Sequence, residues 1–245
     1  MKPWLLIFGV AIMLVIAGCS SDDDSDGPTA PGSTEDAPQF NVPRVQVPQP
    51  MQQSTDMRAQ TVVFYTNLAN SFGASLGGNF MPPSPDVNMT LRDARWEYNW
   101  KEDELEVKVV IRDENDKYTW EVFYSGKADE FTYSNFRAFR AEQGKDERSG
   151  KFFMFVPNTT IVLGQYTWQL DENNAILFEV KVTSDLTSGN RFVGQSNADK
   201  SGTLQVYASS GGESALIEEY EWAADGSGNW AVYDGGELVD SGTWN

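Results

Sequence analysis

The chain has 245 residues, of which 36 are acidic, 18 are basic and none is histidine, which gives a formal net charge of −18. Such an acidic chain is repelled by phosphate backbones, so nucleic-acid binding is not expected. Without histidine and with a single cysteine, the chain cannot build a Ser-His-Asp or Cys-His site, a histidine-ligated metal site or an intramolecular disulfide, and no cofactor is expected.

The N-terminus has the layout of a bacterial secretory signal, here assigned to residues 1–18. A basic residue precedes an apolar run, which is too short to cross the ~30 Å hydrocarbon core of a membrane comfortably. The run ends in the residues Ile16, Ala17, Gly18 and Cys19. This ending resembles the lipobox of bacterial lipoproteins. The resemblance implies cleavage between Gly18 and Cys19, lipidation of the Cys19 thiol and anchoring to a membrane by acyl chains. An uncleaved anchor helix or an incidental cysteine is the alternative.

Residues 19–57 are expected to form the lipidated cysteine and a disordered, acidic and proline-rich tether. The residues after the cysteine are Ser20, Ser21, Asp22, Asp23 and Asp24. This run resembles the surface-export signal of Bacteroidota lipoproteins, and Ser20, where aspartate would retain the protein, favours sorting to the outer membrane. The resemblance implies display at the cell surface, whereas a plain solvated linker is the simpler alternative.

One helix is expected over about residues 59–77, at the start of a single domain that spans 58–245. Apolar residues recur there at spacings of three and four, and a glycine pair at 77–78 supplies a stop signal. The stripe consists of Tyr65, Leu68, Phe72 and Leu76. We expect it to pack on a sheet or to close one end of a barrel.

From Met89 onward the apolar period changes to two, which is typical of strands buried on one face. Short polar turns, such as 113–116 and 171–174, favour antiparallel pairing in chain order. The predicted fold class is mainly β: an antiparallel meander of about 10–12 strands that forms a curved sheet or an up-and-down barrel or half-barrel, with one N-terminal helix. A two-sheet sandwich is the second architecture.

A Ser-Gly pair recurs at 149–150, 201–202 and 227–228, at separations of 52 and 26 residues. A repeat of 26 residues fits one hairpin. The last copy reads Gly228-Asn229-Trp230-Ala231-Val232-Tyr233, then Gly236-Glu237-Leu238 and Gly242-Thr243-Trp244. It resembles MORN-like hairpin repeats, which implies stacked hairpins and a scaffolding role. Together with the tether and helix, the pattern also resembles a class of tryptophan-rich outer-membrane lipoproteins.

Several features could carry chemistry, and each has a simpler structural explanation. Aromatic rings could stack on sugars or line an apolar cavity, but a packed core explains them as well. The acidic runs 102–104 and 218–221 do not show two carboxyls that face each other across a cleft. The turns 113–116 and 171–174 lack the spacing of a calcium loop. Arg137 and Arg140 are expected to pair with nearby acids.

The sequence therefore predicts a lipid-anchored outer-membrane lipoprotein that acts as a non-catalytic binding or structural module, without catalytic or metal-binding residues. Its expected partners are the membrane, through the N-terminal lipid, and an envelope glycan, protein or lipid. One alternative is a carrier of an apolar or lipid ligand in a curved β-barrel cavity, a layout similar to outer-membrane carriers of the lipoprotein-localisation type. Another is a histidine-free carboxylate hydrolase.

Overall fold

The computed structural model describes residues 37–84, 87, 89–92, 94–128, 130–183, 190–210 and 213–245. Within these residues the chain is mainly β, and two helices precede 13 strands that form one sheet in chain order. The predicted fold class is confirmed, with 13 strands rather than about 10–12 and with a short extra helix before the predicted one. The signal peptide, the lipobox and the export run predicted for residues 1–24 lie outside the described residues.

The helices are α1 (Gln49–Gln53) and α2 (Met57–Asn79). The strands are β1 (Met89–Arg92), β2 (Arg95–Glu102), β3 (Leu105–Glu114), β4 (Lys117–Ala128), β5 (Phe131–Gly144), β6 (Ser149–Phe155), β7 (Val162–Leu170), β8 (Ile176–Val182), β9 (Asn190–Ser196), β10 (Gly202–Ser210), β11 (Glu213–Trp222), β12 (Gly228–Asp234) and β13 (Glu237–Trp244).

Each strand pairs antiparallel with the next one along the chain. Tight turns make this order possible, because Asp103, Asn115 and Asn174 adopt the left-handed conformation that such turns require. Among the described strands, β1 and β13 pair on one side only, so the sheet is not closed into a barrel. The single sheet also differs from the sandwich that the sequence left open as a second architecture.

One face of the sheet, called the inner face, carries the main hydrophobic core. Residues 37–56, called the strap, cross this face. Gln143 on β5 forms two hydrogen bonds with the backbone of Asn41, at 2.7 and 3.0 Å. On β9, the Ser196 hydroxyl donates to the carbonyl of Gln46 at 2.8 Å. The strap therefore runs from β5 to β9, and its α1 helix lies beside the turn between β11 and β12.

Helix α2 returns across the same face in the opposite direction. Near its start, Arg58 lies 3.3 Å from the carboxylate of Glu218 on β11. Farther along, the ring of Tyr65 lies 5.0 Å from the ring of Phe192 on β9. Directly after the helix, Phe80 packs against rings of β4 and β6. The inner face is therefore covered by two antiparallel segments that precede the sheet in the chain.

The sequence predicts a disordered tether up to residue 57, but in the structure residues 37–56 are packed against the sheet. Four strap residues are buried in the core, with exposed fractions of 1–7%: Phe40, Val45, Val47 and Met51. The side-chain amide of Asn70 on α2 bonds both the N–H and the carbonyl of Val45 at 2.9 Å, which satisfies the extended backbone of the strap. The packed domain therefore includes residue 37 rather than beginning at 58.

The repeated Ser-Gly pairs have a structural meaning on the inner face. Gly202 on β10 and Gly228 on β12 both lie opposite Trp222 of β11, and Gly228 also lies opposite Trp244 of β13. Gly150 on β6 faces Trp168 of β7 in the same way. Each indole fills the space that a side chain on the facing glycine would need. The sequence repeat is therefore a repeated glycine–tryptophan contact between neighbouring strands.

Candidate functional site

The inner face leaves little room for a ligand, because the protein's own aromatic residues and N-terminal segments fill it. Four tryptophans are almost fully buried, with exposed fractions of 1–3%: Trp120, Trp168, Trp222 and Trp244. The Phe40 ring of the strap lies 5.2 Å from the Trp120 ring and 5.4 Å from the Trp168 ring. A ligand carried on this face would have to displace the strap and α2.

The carboxylates that the sequence singled out are not brought together as a pair. Glu218 and Glu219 point to opposite faces of β11, since successive side chains alternate along a strand. Glu218 pairs with Arg58 on the inner side, whereas Glu219 accepts hydrogen bonds from the Gln205 amide and the Tyr233 hydroxyl. The other run, residues 102–104, forms the turn between β2 and β3. Neither run has the geometry that a glycosidase needs.

The two candidate calcium runs form hairpin turns. Residues 113–116 connect β3 to β4, and residues 171–174 connect β7 to β8. In the second turn the Asp171 carboxylate accepts hydrogen bonds from the backbone N–H groups of Asn173 and Ala175, both at 2.8 Å. Within the part of the chain that the structure describes, no three Cys, Asp or Glu side chains are grouped as a metal site would require.

The opposite face of the sheet, called the outer face, carries ion pairs that include both arginines of the predicted basic spot. Arg137 lies 3.0 Å from the Glu121 carboxylate, and Arg140 lies 2.8 Å from that of Glu142. Glu121 also pairs with Arg112. Burial by itself would raise the pKa of the Glu121 carboxyl, but hydrogen bonds from the two guanidinium groups outweigh it, and the pKa is lowered. The expected pairing of these arginines with acids is therefore found.

The same balance recurs at two further carboxylates on the outer face. Burial opposes ionisation of Glu142, but Lys117, at 2.9 Å, donates a hydrogen bond that lowers the pKa of this carboxyl. At Glu179, a hydrogen bond from Arg191 and its positive charge outweigh the effect of burial, with a smaller contribution from Lys181. The pKa of the Glu179 carboxyl is therefore also lowered. These carboxylates are held ionised at neutral pH, which suits structural ion pairs and not proton donors.

One groove on the outer face combines aromatic, cationic and polar side chains, and we call it the outer groove. It lies between the first part of β5 and the loop that joins β6 to β7, and its volume is about 920 Å³. Its floor is formed by Phe123, Arg137 and Phe155, where the guanidinium lies 4.8 Å from the centre of the Phe155 ring. Its rim includes Thr132, Ser134, Asn135, Asn158, Thr159, Thr160 and Ile161.

Local backbone geometry fixes the rim of the outer groove. Asn135 and Asn158 both adopt the left-handed conformation, with φ of 49° and 58°, which asparagine tolerates better than most residues. The Asn158 amide donates to the carbonyl of Thr132 at 2.9 Å and ties the loop to β5. The Asn135 N–H donates to the Ser125 hydroxyl at 3.1 Å. Hydrogen bonds therefore hold both sides of the groove in place: the loop between β6 and β7 is bonded to β5, and β5 is bonded to β4.

Sequence reasoning missed the outer groove, although a signal was present. The period of two breaks at residues 122–124 and 152–155, where apolar residues follow one another without a polar partner. Such runs place aromatic rings on both faces of a sheet. A register shift between β4 and β5 then aligns Phe123 with Arg137, so that the two side chains share the outer face.

No helix in the described ranges is both long enough and apolar enough to cross a membrane. In comparisons with known proteins, no family model matches this chain and no curated protein matches it.

Proposed function

We propose that this protein is a lipid-anchored lipoprotein of the outer membrane that acts as a non-catalytic binding module, with the outer groove as its binding site. The anchor is supported by the ending Ile16-Ala17-Gly18-Cys19 of the apolar N-terminal run. The observation that carries the binding role is the outer groove itself, which lies on the face that the strap and α2 leave open.

An envelope glycan is the ligand that this groove fits best. Aromatic rings offer flat apolar surfaces to the C–H faces of sugars, and the half-buried Phe123 offers such a ring on the groove floor. The Phe155 ring is buried beneath the Arg137 guanidinium, which it holds in place at the groove. The rim supplies hydroxyl and amide groups that can exchange hydrogen bonds with sugar hydroxyls. Arg137 adds a guanidinium that can donate to a sugar carboxylate or phosphate.

A non-catalytic role is supported by the ionisation state of the buried and half-buried carboxylates on the outer face. Glu121, Glu142 and Glu179 each lie between cations that lower the pKa of the carboxyl. General acid catalysis in a glycoside hydrolase needs the opposite, a carboxyl whose pKa is raised towards neutrality. These three carboxylates lie outside the outer groove, and the described residues that line the groove include no carboxylate, so the groove suits binding better than hydrolysis.

The proposal can be tested by binding of the mature protein to purified peptidoglycan and to outer-membrane lipopolysaccharide. We expect one of the two probes to bind, and Ser134→Arg to abolish that binding by filling the groove. Ser241→Arg is the matched control, because Ser241 is also exposed but lies on β13, away from the groove. Absence of binding to both probes, or equal loss in both variants, would contradict the glycan site and favour a structural module.

A further inference from the structure

The two segments that cover the inner face differ sharply in charge from the sheet beneath them. Residues 37–84 contain one acidic and two basic side chains, Asp56, Arg44 and Arg58. Residues 85–245 contain 29 acidic and 15 basic side chains. Anionic headgroups therefore repel the sheet but do not repel the strap and α2.

The outward side of this nearly neutral layer also carries exposed apolar side chains. Met57 and Phe64 on α2 are 81% and 61% exposed, and Met81 directly after the helix is 46% exposed. Met57 and Phe64 are two helical turns apart, so their side chains lie on the same side of α2. Met81 lies at the other end of the helix, so the exposed apolar side chains are spread along the length of α2. Large apolar side chains this exposed on one element mark a contact surface.

The place where the chain enters the domain links this surface to the proposed anchor. The strap begins at residue 37, and the Pro38 carbonyl accepts a hydrogen bond from Trp120. The ring of Phe80, beside Met81, packs against the same indole, so the strap begins close to the end of α2. Only the 17 residues 20–36 separate Cys19 from the strap, so the anchor and the strap lie close together in the chain.

We propose that the outward side of α2, marked by Met57 and Phe64, together with Met81 directly after the helix, docks onto the bilayer that holds the lipid anchor. This proposal rests on the proposed lipid anchor. A few apolar side chains suffice for such docking, because the anchor already holds the domain at a high effective concentration near the surface. The bilayer would then contact the layer over the inner face, and the outer groove would open away from the membrane.

The test uses mature lipidated protein in vesicles of phosphatidylethanolamine and phosphatidylglycerol. Cys19 is the only cysteine, so Phe64→Cys introduces one free thiol for an environment-sensitive nitrobenzoxadiazole label. Val239→Cys on β13 is the matched control, because Val239 is 59% exposed against 61% for Phe64. We expect a blue shift, and quenching by spin-labelled lipid tails, at position 64 and neither effect at position 239.

Three outcomes decide the proposal. Water-like emission at position 64 in protein that floats with the vesicles would overturn the docking and leave the anchor intact. A blue shift that appears only at high protein-to-lipid ratios would show that a second copy of the chain covers this face, and would also overturn it. If the protein does not float, the anchor proposal fails. The same label on protein held to nickel-chelating lipids by an N-terminal histidine tag then decides the docking separately.

Discussion

The indole of Trp244 occupies the space beside Gly228, where a Cβ atom would lie 2.2 Å from Cζ2 of the ring. A backbone oxygen of β11 lies almost as close to the same position. Because β11 and β13 pair with β12 on its two sides, a shift of one strand alone would not make room for a methyl group at Gly228. We expect Gly228→Ala to lower the free energy of unfolding by about 1–3 kcal/mol through overpacking. Thermal unfolding measures the loss. Gly78→Ala is the control, because a Cβ there meets no atom within 4 Å, and an equal loss in both variants would contradict the contact.

The strap can be tested through Phe40, whose ring contacts Phe80, Trp120 and Trp168. Phe40→Ala should lower the free energy of unfolding by about 3–5 kcal/mol, because it removes a buried ring and leaves a cavity. Denaturant titration measures the difference. Gln39→Ala changes the exposed neighbour and should have almost no effect. If Phe40→Ala also left the free energy of unfolding unchanged, the strap would be a disordered tether, as its composition predicts.

The Glu121 carboxyl gives stability a defined pH dependence. Its pKa is lower in the folded protein than the ordinary value of 4.5. The stabilisation is therefore fully present above pH 4.5 and is lost as the pH falls through the lower folded-state value. Glu121→Gln should cost about 1–3 kcal/mol at neutral pH, because Arg112 and Arg137 lose a charged acceptor.

Unfolding of Glu121→Gln and of the parent protein should be measured from neutral to acidic pH. The difference in free energy of unfolding between the two proteins should narrow as the pH falls from 4.5 towards the lower folded-state pKa, because the Glu121 carboxyl is protonated first in the unfolded parent chain. Glu237→Gln is the control, because Glu237 is exposed on β13. If the difference in free energy of unfolding between the two proteins stays constant down to the pH of acid unfolding, the charge of Glu121 does not contribute to stability.

The proposed lipid anchor depends on one atom, the sulfur of Cys19. We expect Cys19→Ser to abolish incorporation of labelled palmitate and to leave an uncleaved precursor, because no other cysteine is available. Gel mobility and mass spectrometry of membrane fractions measure both effects. Ser21→Ala should be processed normally. Mature, membrane-bound protein from the Cys19→Ser variant would contradict the lipobox.

The acidic run directly after Cys19 predicts surface display, because it resembles an export signal. Replacing Asp22, Asp23 and Asp24 with alanine should reduce cleavage of the protein by protease added to intact cells. Total protein and lipidation should not change, which separates export from anchoring. Replacing Asp234 and Asp240 on β12 and β13 with alanine changes charge without changing the run. Unchanged cleavage in the first variant would leave residues 22–24 as a plain solvated linker.

The strands and their order could be predicted because each depends on nearby residues. Alternation such as Trp96, Tyr98 and Trp100 determines which face is buried, and short turns force neighbours to pair. The strap could not be predicted in this way. Val45 and Val47 stand among prolines and polar residues, and only the partners supplied by Asn70 and by the distant inner face make that segment ordered.

The outer groove could be predicted only in part, for a related reason. Phe123 and Phe155 are visible in the sequence as breaks in the alternation, but their meeting with Arg137 depends on the register shift between β4 and β5. A pattern of apolar residues indicates strands and faces and contains no information about an added residue in one strand. Residue periodicity therefore predicts the sheet, and register determines the site.

The antiparallel course of the strap and α2 also has a consequence for how the chain folds as it is made. The hairpins of the sheet join neighbours in sequence and can form as soon as they emerge. Arg58 can contact its partner Glu218 only after 160 further residues have been synthesised, and Gln46 can contact Ser196 only after 150. The segments synthesised first therefore reach their final contacts last, and until then the inner face of the growing sheet is exposed to chaperones and proteases.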